Sequence, residues 1–512
     1  MDDLKFTIET LTEEDRRELA TFIRRQKKKK NRKDLELYKM LQQQKNYTSE
    51  QLIKMLYPEE PNPVAYYALR KRLQRHLTEF ILLKRMEEDI TAASPITGLM
   101  SLASYLFDAG IDRLAWTHLR KAEKLALANE QYGLLNAVYN LQIEKADNEF
   151  ADPLDQIIAK RNHNKLVADE DERANIASSI INLRLRSVRK QGSDMHFDKI
   201  IQEVLRTYNL SEALSQRPSL LYKLMSIARS AILARKDFLS FEPYIISKYN
   251  EVEQQQGFRK AHQFYKLSLL YMIAHVLYRN KKFEESVSYL EQLRSGIATE
   301  GKGHYRQFMP RYTFLMVANL VFLNRNADAI TLMESLLSNK KITLSTKDQL
   351  TAQLGLSFNY FAAGAYAKAN RILLSIKRSD KWCEGKMGRE WVLKKKLGEL
   401  ILQYELGNED LVQNKLRGLE RTYKDLWEEP MYRNVKQYLE LIKVMTVQPQ
   451  LITKPAFVQH VENTLEFTTF KQTDLQAMSY YAWLKSKMLQ KPYYEVLMEL
   501  TKSANEEQMQ LG

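Results

Sequence analysis

Apolar side chains recur along this chain at helical spacing, and the pattern itself recurs about every 40 residues. One stretch reads Ile273, Ala274, Leu277, Phe283, Ser286, Leu290. The next reads Met316, Val317, Leu320, Asn326, Ala329, Met333, and a third Leu356, Ser357, Tyr360, Gly364, Tyr366, Ala369, Leu373. A fourth, more degenerate, reads Leu400, Ile401, Tyr404, Gly407, Val412, Leu416. The small or modest residues at Ser286, Ala329, Ala369 and Val412 are separated by 43, 40 and 43 positions. Large residues at this spacing make one apolar face of a first helix, A, and the small residue lets a second helix, B, approach closely. Gly or Asn ahead of the B-helix aromatic supports the turn between them.

This spacing resembles the tetratricopeptide repeat, with its Leu-Gly/Ala, Tyr, Tyr-x-x-Ala and Leu positions. Earlier matches run Leu102, Ala103, Leu106, Gly110, Ala115, Leu119, Ala122, with Asp112 in the aromatic position, and Ala228, Ile232, Phe238, Phe241, Ile245. The family period is 34 residues, so these longer units imply longer helices or linkers. The expected architecture is all-α: a tetratricopeptide-like α-solenoid of about ten helical hairpins over 93–503, a small helical N-terminal domain over 1–92, and a polar tail at 504–512.

The resemblance also implies an inner wall made by the A helices, where family members hold their partners. The equivalent positions here are Ser268, Tyr271, His275 and Tyr278, then Arg311, Phe314, Ala318 and Val321, then Thr351, Leu354, Phe358 and Phe361. The Lys and Asn set with which the family grips a C-terminal carboxylate is absent; Arg311 alone could supply such a charge. What stands there is aromatic and apolar. Tyr271, His275, Tyr278, Arg311, Phe314, Phe358 and Phe361 are therefore the candidate partner-binding residues, suited to an extended or helical peptide held by apolar anchors. Tight curvature would instead bury these rings in a core, and exposure decides between the two.

Residues 1–92 do not follow the repeat. Thr12 with Glu13, Glu14 and Asp15 predicts a helix start. A second helix holds Leu35, Leu37, Tyr38 and Leu41. Thr48 and Gln51 form a capping box for a third, and Asn62-Pro63 opens a long fourth with Leu69, Leu73, Leu77 and Phe80 on one face. Of the ten residues Arg24–Lys33, eight are basic. Arg24, Arg25, Lys27, Lys28, Lys29, Lys30, Arg32 and Lys33 are thus candidate phosphate contacts for a helix-turn-helix reading, with a basic fourth helix as reader. Against it, the turn at 57–62 is long and holds two prolines, and no aromatics interleave with the lysines. At the other end, Pro455 opens a helix carrying Phe457, Val458, Val461 and Leu465. Helices over 474–489 and 493–503 follow as a hairpin capping the array.

Composition bounds the rest. The 512 residues carry only 16 Gly and 12 Pro, as long helices with short loops require. One cysteine, Cys383, excludes an internal disulfide and any multi-thiolate metal site, and fits a reducing compartment. The N-terminus lacks a secretory pattern and no run of apolar residues is long enough to span a bilayer, so the expectation is cytoplasmic with no membrane insertion. A net charge of +15 biases the chain toward acidic partners.

Candidate chemistry is thin. Gly296-Ile-Ala-Thr-Glu-Gly301-Lys302-Gly303 nearly spells a phosphate loop, but Gly303 stands where Ser or Thr must hold magnesium, and a helix, not a strand, precedes it. The histidines lack metal-ligand spacing. Asp169-Glu170-Asp171-Glu172 lacks a calcium-loop pattern and is placed before a helix starting near Arg173. Cys383 is placed in an inter-repeat loop. The expected function is a non-catalytic scaffold for a protein or peptide, without cofactor or metal. The rival is a nucleic-acid-associated regulator that uses the basic N-terminal domain, with the repeats as sensor.

Overall fold

The computed structural model describes residues 3–26, 33–43, 47–89, 91–191, 203–210, 217–235, 238–239, 241–255, 257–298, 302–339, 342, 344–429, 432–465 and 475–509. Among these residues every regular element is helical, and no helix is long and apolar enough to cross a membrane.

The first helices are α1 (Asp3–Thr10), α2 (Glu13–Arg25), α3 (Lys33–Gln42), α4 (Ser49–Leu56) and α5 (Pro63–Glu88). Thr12 and Asp15 satisfy each other's backbone donors in a capping box, as do Thr48 and Gln51. Asn62 accepts from Ala65 N at 2.9 Å, with Pro63 in the first turn. One helix escaped the sequence reading. Leu4 and Ile8 lie one turn apart on α1 and are buried with Leu19, Ile23, Leu37 and Tyr38 in a core of their own, so five helices, not four, pack here. Lys386 reaches this unit through Glu9, at 3.2 Å.

A second core lies among α6 (Ala93–Asp108), α7 (Asp112–Ala128), α8 (Tyr132–Glu144) and α9 (Leu154–Gln191), around Trp116, Leu119, Leu135 and Tyr139. The acidic run falls in the middle of α9 and not ahead of a helix. Four consecutive carboxylates survive there because cations meet them. Arg173 lies 3.0 Å from Asp169, and the buried Arg217 guanidinium lies 3.1 Å from Glu170 and bonds Asp171.

The largest core joins α10 (Pro218–Arg235), α11 (Phe241–Gln255), α12 (Gln263–Arg279), α13 (Phe283–Ala298), α14 (Lys302–Phe322), α15 (Asn326–Ser338), α16 (Thr346–Ala362) and α17 (Tyr366–Leu374). It continues through α18 (Asp380–Met387), α19 (Arg389–Glu405), α20 (Glu409–Thr422), α21 (Arg433–Val447), α22 (Pro455–Thr464), α23 (Leu475–Leu489) and α24 (Tyr493–Met509). Helices pack mainly on their neighbours in sequence, most extensively α6–α7, α12–α13, α8–α9, α14–α15, α16–α17 and α13–α14.

One turn geometry recurs between paired helices. Gly110, Lys281, Asn324, Gly364 and Gly407 all have φ between 60° and 72°. In each case the next residue's N–H donates to the carbonyl five positions back, for example Ala365 N to Tyr360 O at 2.9 Å and Arg325 N to Leu320 O at 2.8 Å. This left-handed cap satisfies carbonyls that a helix end leaves free. Glycine enters it without strain, whereas Lys281 and Asn324 adopt it at some cost.

The small residues of the B helices are fully buried at Ser286, Ala329 and Ala369. Ser286 does more than give room: its hydroxyl donates to Ala274 O at 2.7 Å and accepts from Asn319 Nδ2 at 3.0 Å, tying one pair to the next. Of the phosphate-loop lookalike, residues 299–301 lie outside the described residues, and its first glycine serves packing. Gly296 sits inside α13, where a Cβ would come within 2.7 Å of Leu267 on α12, so glycine is needed for close approach. Cys383 is not in a loop: Ser379 caps α18, which carries it fully buried. At the C-terminus α24 runs through Met509, past the expected tail start at Ala504.

Candidate functional site

The wall positions of three units share a spacing of three, four and three residues, which keeps side chains on one helical face. On α12 that face carries Tyr271, His275 and Tyr278, on α14 Arg311 and Phe314, and on α16 Phe358 and Phe361. The structure divides these candidates. Tyr278, Phe314, Phe358 and Phe361 line one cavity of about 460 Å³. Tyr271, His275 and Arg311 do not line it. The Arg311 side chain is exposed, with its guanidinium 5.7 Å from the Phe308 ring. Tyr271 and His275 pack on each other, ring centroids 6.3 Å apart. Burial, with Arg229 and Arg279 nearby, holds the His275 imidazole down at about 3.

The rings are not uniformly sealed. Phe361 is 9% exposed, Phe358 is 36% exposed, and Tyr271, Tyr278 and Phe314 are half-buried. The cavity exists because small residues alternate with these rings. Gly398 lines it, and a Cβ there would meet nothing within 4 Å. The small residues Ala318 and Gly355 also line it.

Two further elements complete the site. The fourth A helix, α19, adds Trp391, Lys394, Gly398 and Ile401. These repeat the three-four-three spacing of the earlier units, so the signal was present in the sequence, although the degenerate fourth unit masked it. The second element is α23–α24, which supplies Tyr480, Trp483 and Tyr493. A hairpin that capped the end of an array would touch only the last pair. Instead Tyr494 OH donates to Val321 O at 2.6 Å, and Trp483 Nε1 donates to Glu405 at 2.6 Å. Lys487 also pairs with Glu405, at 2.5 Å. Tyr493 packs on Phe361 with centroids 5.3 Å apart, and burial pushes its phenol well above the ordinary tyrosine range. The C-terminal pair therefore folds back over the wall and walls in the cavity. Nothing local in its sequence announces that contact.

The lining is predominantly aromatic and aliphatic. Among the described residues its charged members are Arg279 and Lys394, and no His, Cys, Asp or Glu lines it. Among the described residues no cluster of His, Cys, Asp and Glu is disposed to hold a metal ion.

Of the basic N-terminal candidates, Arg24, Arg25 and Lys33 fall among the described residues. Arg24 and Arg25 end α2 with exposed side chains. Lys33 is engaged within the N-terminal unit: it donates to Leu56 O at 3.0 Å and sits 3.8 Å from the Tyr57 ring centre. Lys27, Lys28, Lys29, Lys30 and Arg32 lie outside the described residues. Lys71, Arg72 and Arg75 are exposed on α5.

Comparison with known proteins returns no match to a family model, to a curated protein or to a solved structure.

Proposed function

We propose that this chain is a non-catalytic scaffold whose paired helices stack in the manner of tetratricopeptide repeats and hold a protein or peptide partner on their inner wall. The observation that carries this reading is the apolar cavity shared by four A helices, with Phe358 at its open side. Its size falls in the range of ligand sites, roughly 300–1,000 Å³. Aromatic walls with few polar groups suit apolar anchors of a bound segment. Among the described residues the lining offers no pair of acid and base groups within reach of each other, which favours holding over bond-making. A cytoplasmic, reducing setting agrees with the single buried thiol of Cys383.

The rival reading, a nucleic-acid-associated regulator, would draw on Arg24, Arg25 and the outer face of α5. It is the weaker one. Lys33 is committed inside its own unit, and Glu59 and Glu60 stand exposed just ahead of α5, where phosphates would have to approach.

The test fills the cavity without touching the fold. Gly398→Phe places a ring where a Cβ meets no neighbour. Partner recovery by this variant and by Phe358→Ala is compared with the native protein, with circular dichroism as the fold control. Loss of the same partner in both variants at native helicity is the expected result. Full retention in both would remove the cavity from the account.

A further inference from the structure

The charge around the cavity specifies its ligand more closely; this step rests on the peptide-holding reading above. Three consecutive lysines, Lys394 to Lys396, lie in the first half of α19, and they are used differently. Lys395 pairs with Glu399 at 2.6 Å and with Asp380 at 3.2 Å. Lys396 pairs with Asp380 at 3.0 Å. Lys394 lines the cavity with an exposed side chain, and among the described residues its ammonium has no carboxylate partner. Two of the three lysines thus hold the local structure together and the third faces the open site.

Among the described residues no carboxylate lines the cavity, and the second charged group on its wall, Arg279, is also a cation. Glu405, the acid of α19 nearest the C-terminal pair, is occupied by the Trp483 indole and by Lys487. An apolar site whose charged lining groups are cations attracts an anionic partner and rejects a cationic one. The net charge of +15 acts in the same direction at long range.

Length follows from the helix. Trp391 to Leu402 both line the site on α19, and at 1.5 Å per residue they span about 16 Å. An extended segment covers that distance in about five residues.

We infer that the inner wall takes a short extended peptide segment that is both apolar and acidic: large apolar side chains enter the cavity and a carboxylate side chain pairs with Lys394. The pairing is partly solvated, so it selects among apolar segments more than it adds affinity.

The experiment uses the full chain and three fluorescein-labelled pentapeptide libraries with amidated C-termini. Each has three central positions drawn from Leu, Phe and Trp, flanked by Glu, Gln or Lys. A fourth library carries Gln flanks and a free C-terminal carboxylate. Affinities are read by fluorescence anisotropy at low and at physiological salt, for the native protein, Lys394→Gln and Lys394→Glu. The expected order is Glu-flanked tightest and Lys-flanked weakest. Lys394→Gln lowers affinity for the Glu-flanked library about five-fold and leaves the amidated Gln-flanked one unchanged, while Lys394→Glu reverses the order. Equal binding of Glu- and Gln-flanked libraries, or no response to Lys394→Gln, overturns the charge inference and leaves the peptide reading standing. A preference for the free-carboxylate library over the Glu-flanked one overturns the side-chain assignment. Binding of no library overturns the peptide reading itself.

Discussion

The same substitution, glycine to alanine, is expected to act with opposite sign at two nearby positions. Gly364 closes the α16–α17 turn at φ 71°. Gly398 lies inside α19 with ordinary helical geometry. At both sites an added methyl group meets nothing within 4 Å, so neither packing nor clash enters and the backbone alone decides. At Gly364 alanine must hold a left-handed conformation, a cost of about 1–2 kcal/mol. At Gly398 alanine removes unfolded-state freedom and raises helix propensity, a gain of about 0.5–1 kcal/mol. The two variants should therefore differ by about 2 kcal/mol, a ratio near 30 in a local opening equilibrium. A chain with three cores need not unfold in one step, so the assay is hydrogen exchange followed by mass spectrometry. Peptides covering 356–374 report the first variant and those covering 395–405 the second. Faster exchange around Gly364→Ala and slower exchange around Gly398→Ala are expected. Equal and same-signed effects would refute the turn geometry assigned to the paired helices.

Individual side chains carry the other predictions. The His275 imidazole is held down at about 3 in the fold, while the unfolded chain titrates near 6.5. A depressed folded pKa means that the unfolded state binds the proton first, so this stability is complete above about pH 6.5 and is lost as pH falls toward 3. Between pH 7 and pH 5 the loss should reach about 2 kcal/mol, and His275→Gln should flatten that part of the profile in thermal melts. Arg217 is the buried cation for Glu170 and Asp171; Arg217→Met should cost about 3 kcal/mol by stranding those acids, seen as faster exchange in the middle of α9. Cys383 is fully buried and burial pushes its thiol up, so a soluble disulfide reagent should label it only as fast as α18 opens, and at once in denaturant. Asn324 holds a left-handed turn at φ 60° with an exposed side chain, and Asn324→Gly should slow exchange across α14–α15 by relieving a few tenths of a kcal/mol.

Helical periodicity carried the local architecture well. Thr12, Thr48 and Asn62 cap the helices assigned to them, and the small residues at 286, 329 and 369 lie buried between helices. These are short-range effects, fixed by hydrogen bonds and side-chain volume within one pair. The errors arise where a distant partner decides. The acids at 169–172 look like a helix start until Arg217, some 45 residues on, neutralises them inside α9. Cys383 looks like loop because α18 is short, and Ser379 alone marks its start. Leu4 and Ile8 are too few to define a helix without the core that receives them. The cavity is half legible. Tyr278, Phe314, Phe358 and Phe361 were found from spacing, and Trp391 and Lys394 lay on the same spacing one unit further. Tyr480, Trp483 and Tyr493 come from a pair whose docking site is up to 173 residues away, and only three-dimensional contact reveals them.

In the proposed function a partner enters the cavity beside Phe358. A photo-reactive benzoyl-phenylalanine introduced at position 358, at the open side of the site, tests it most directly, with the same group at Tyr105, 67% exposed on α6, as control. Irradiation is expected to join the chain to a discrete partner segment from position 358, the link to vanish in a Gly398→Phe background, and position 105 to give none. Equal linking from both positions, or linking from 358 that survives the filled cavity, would contradict it.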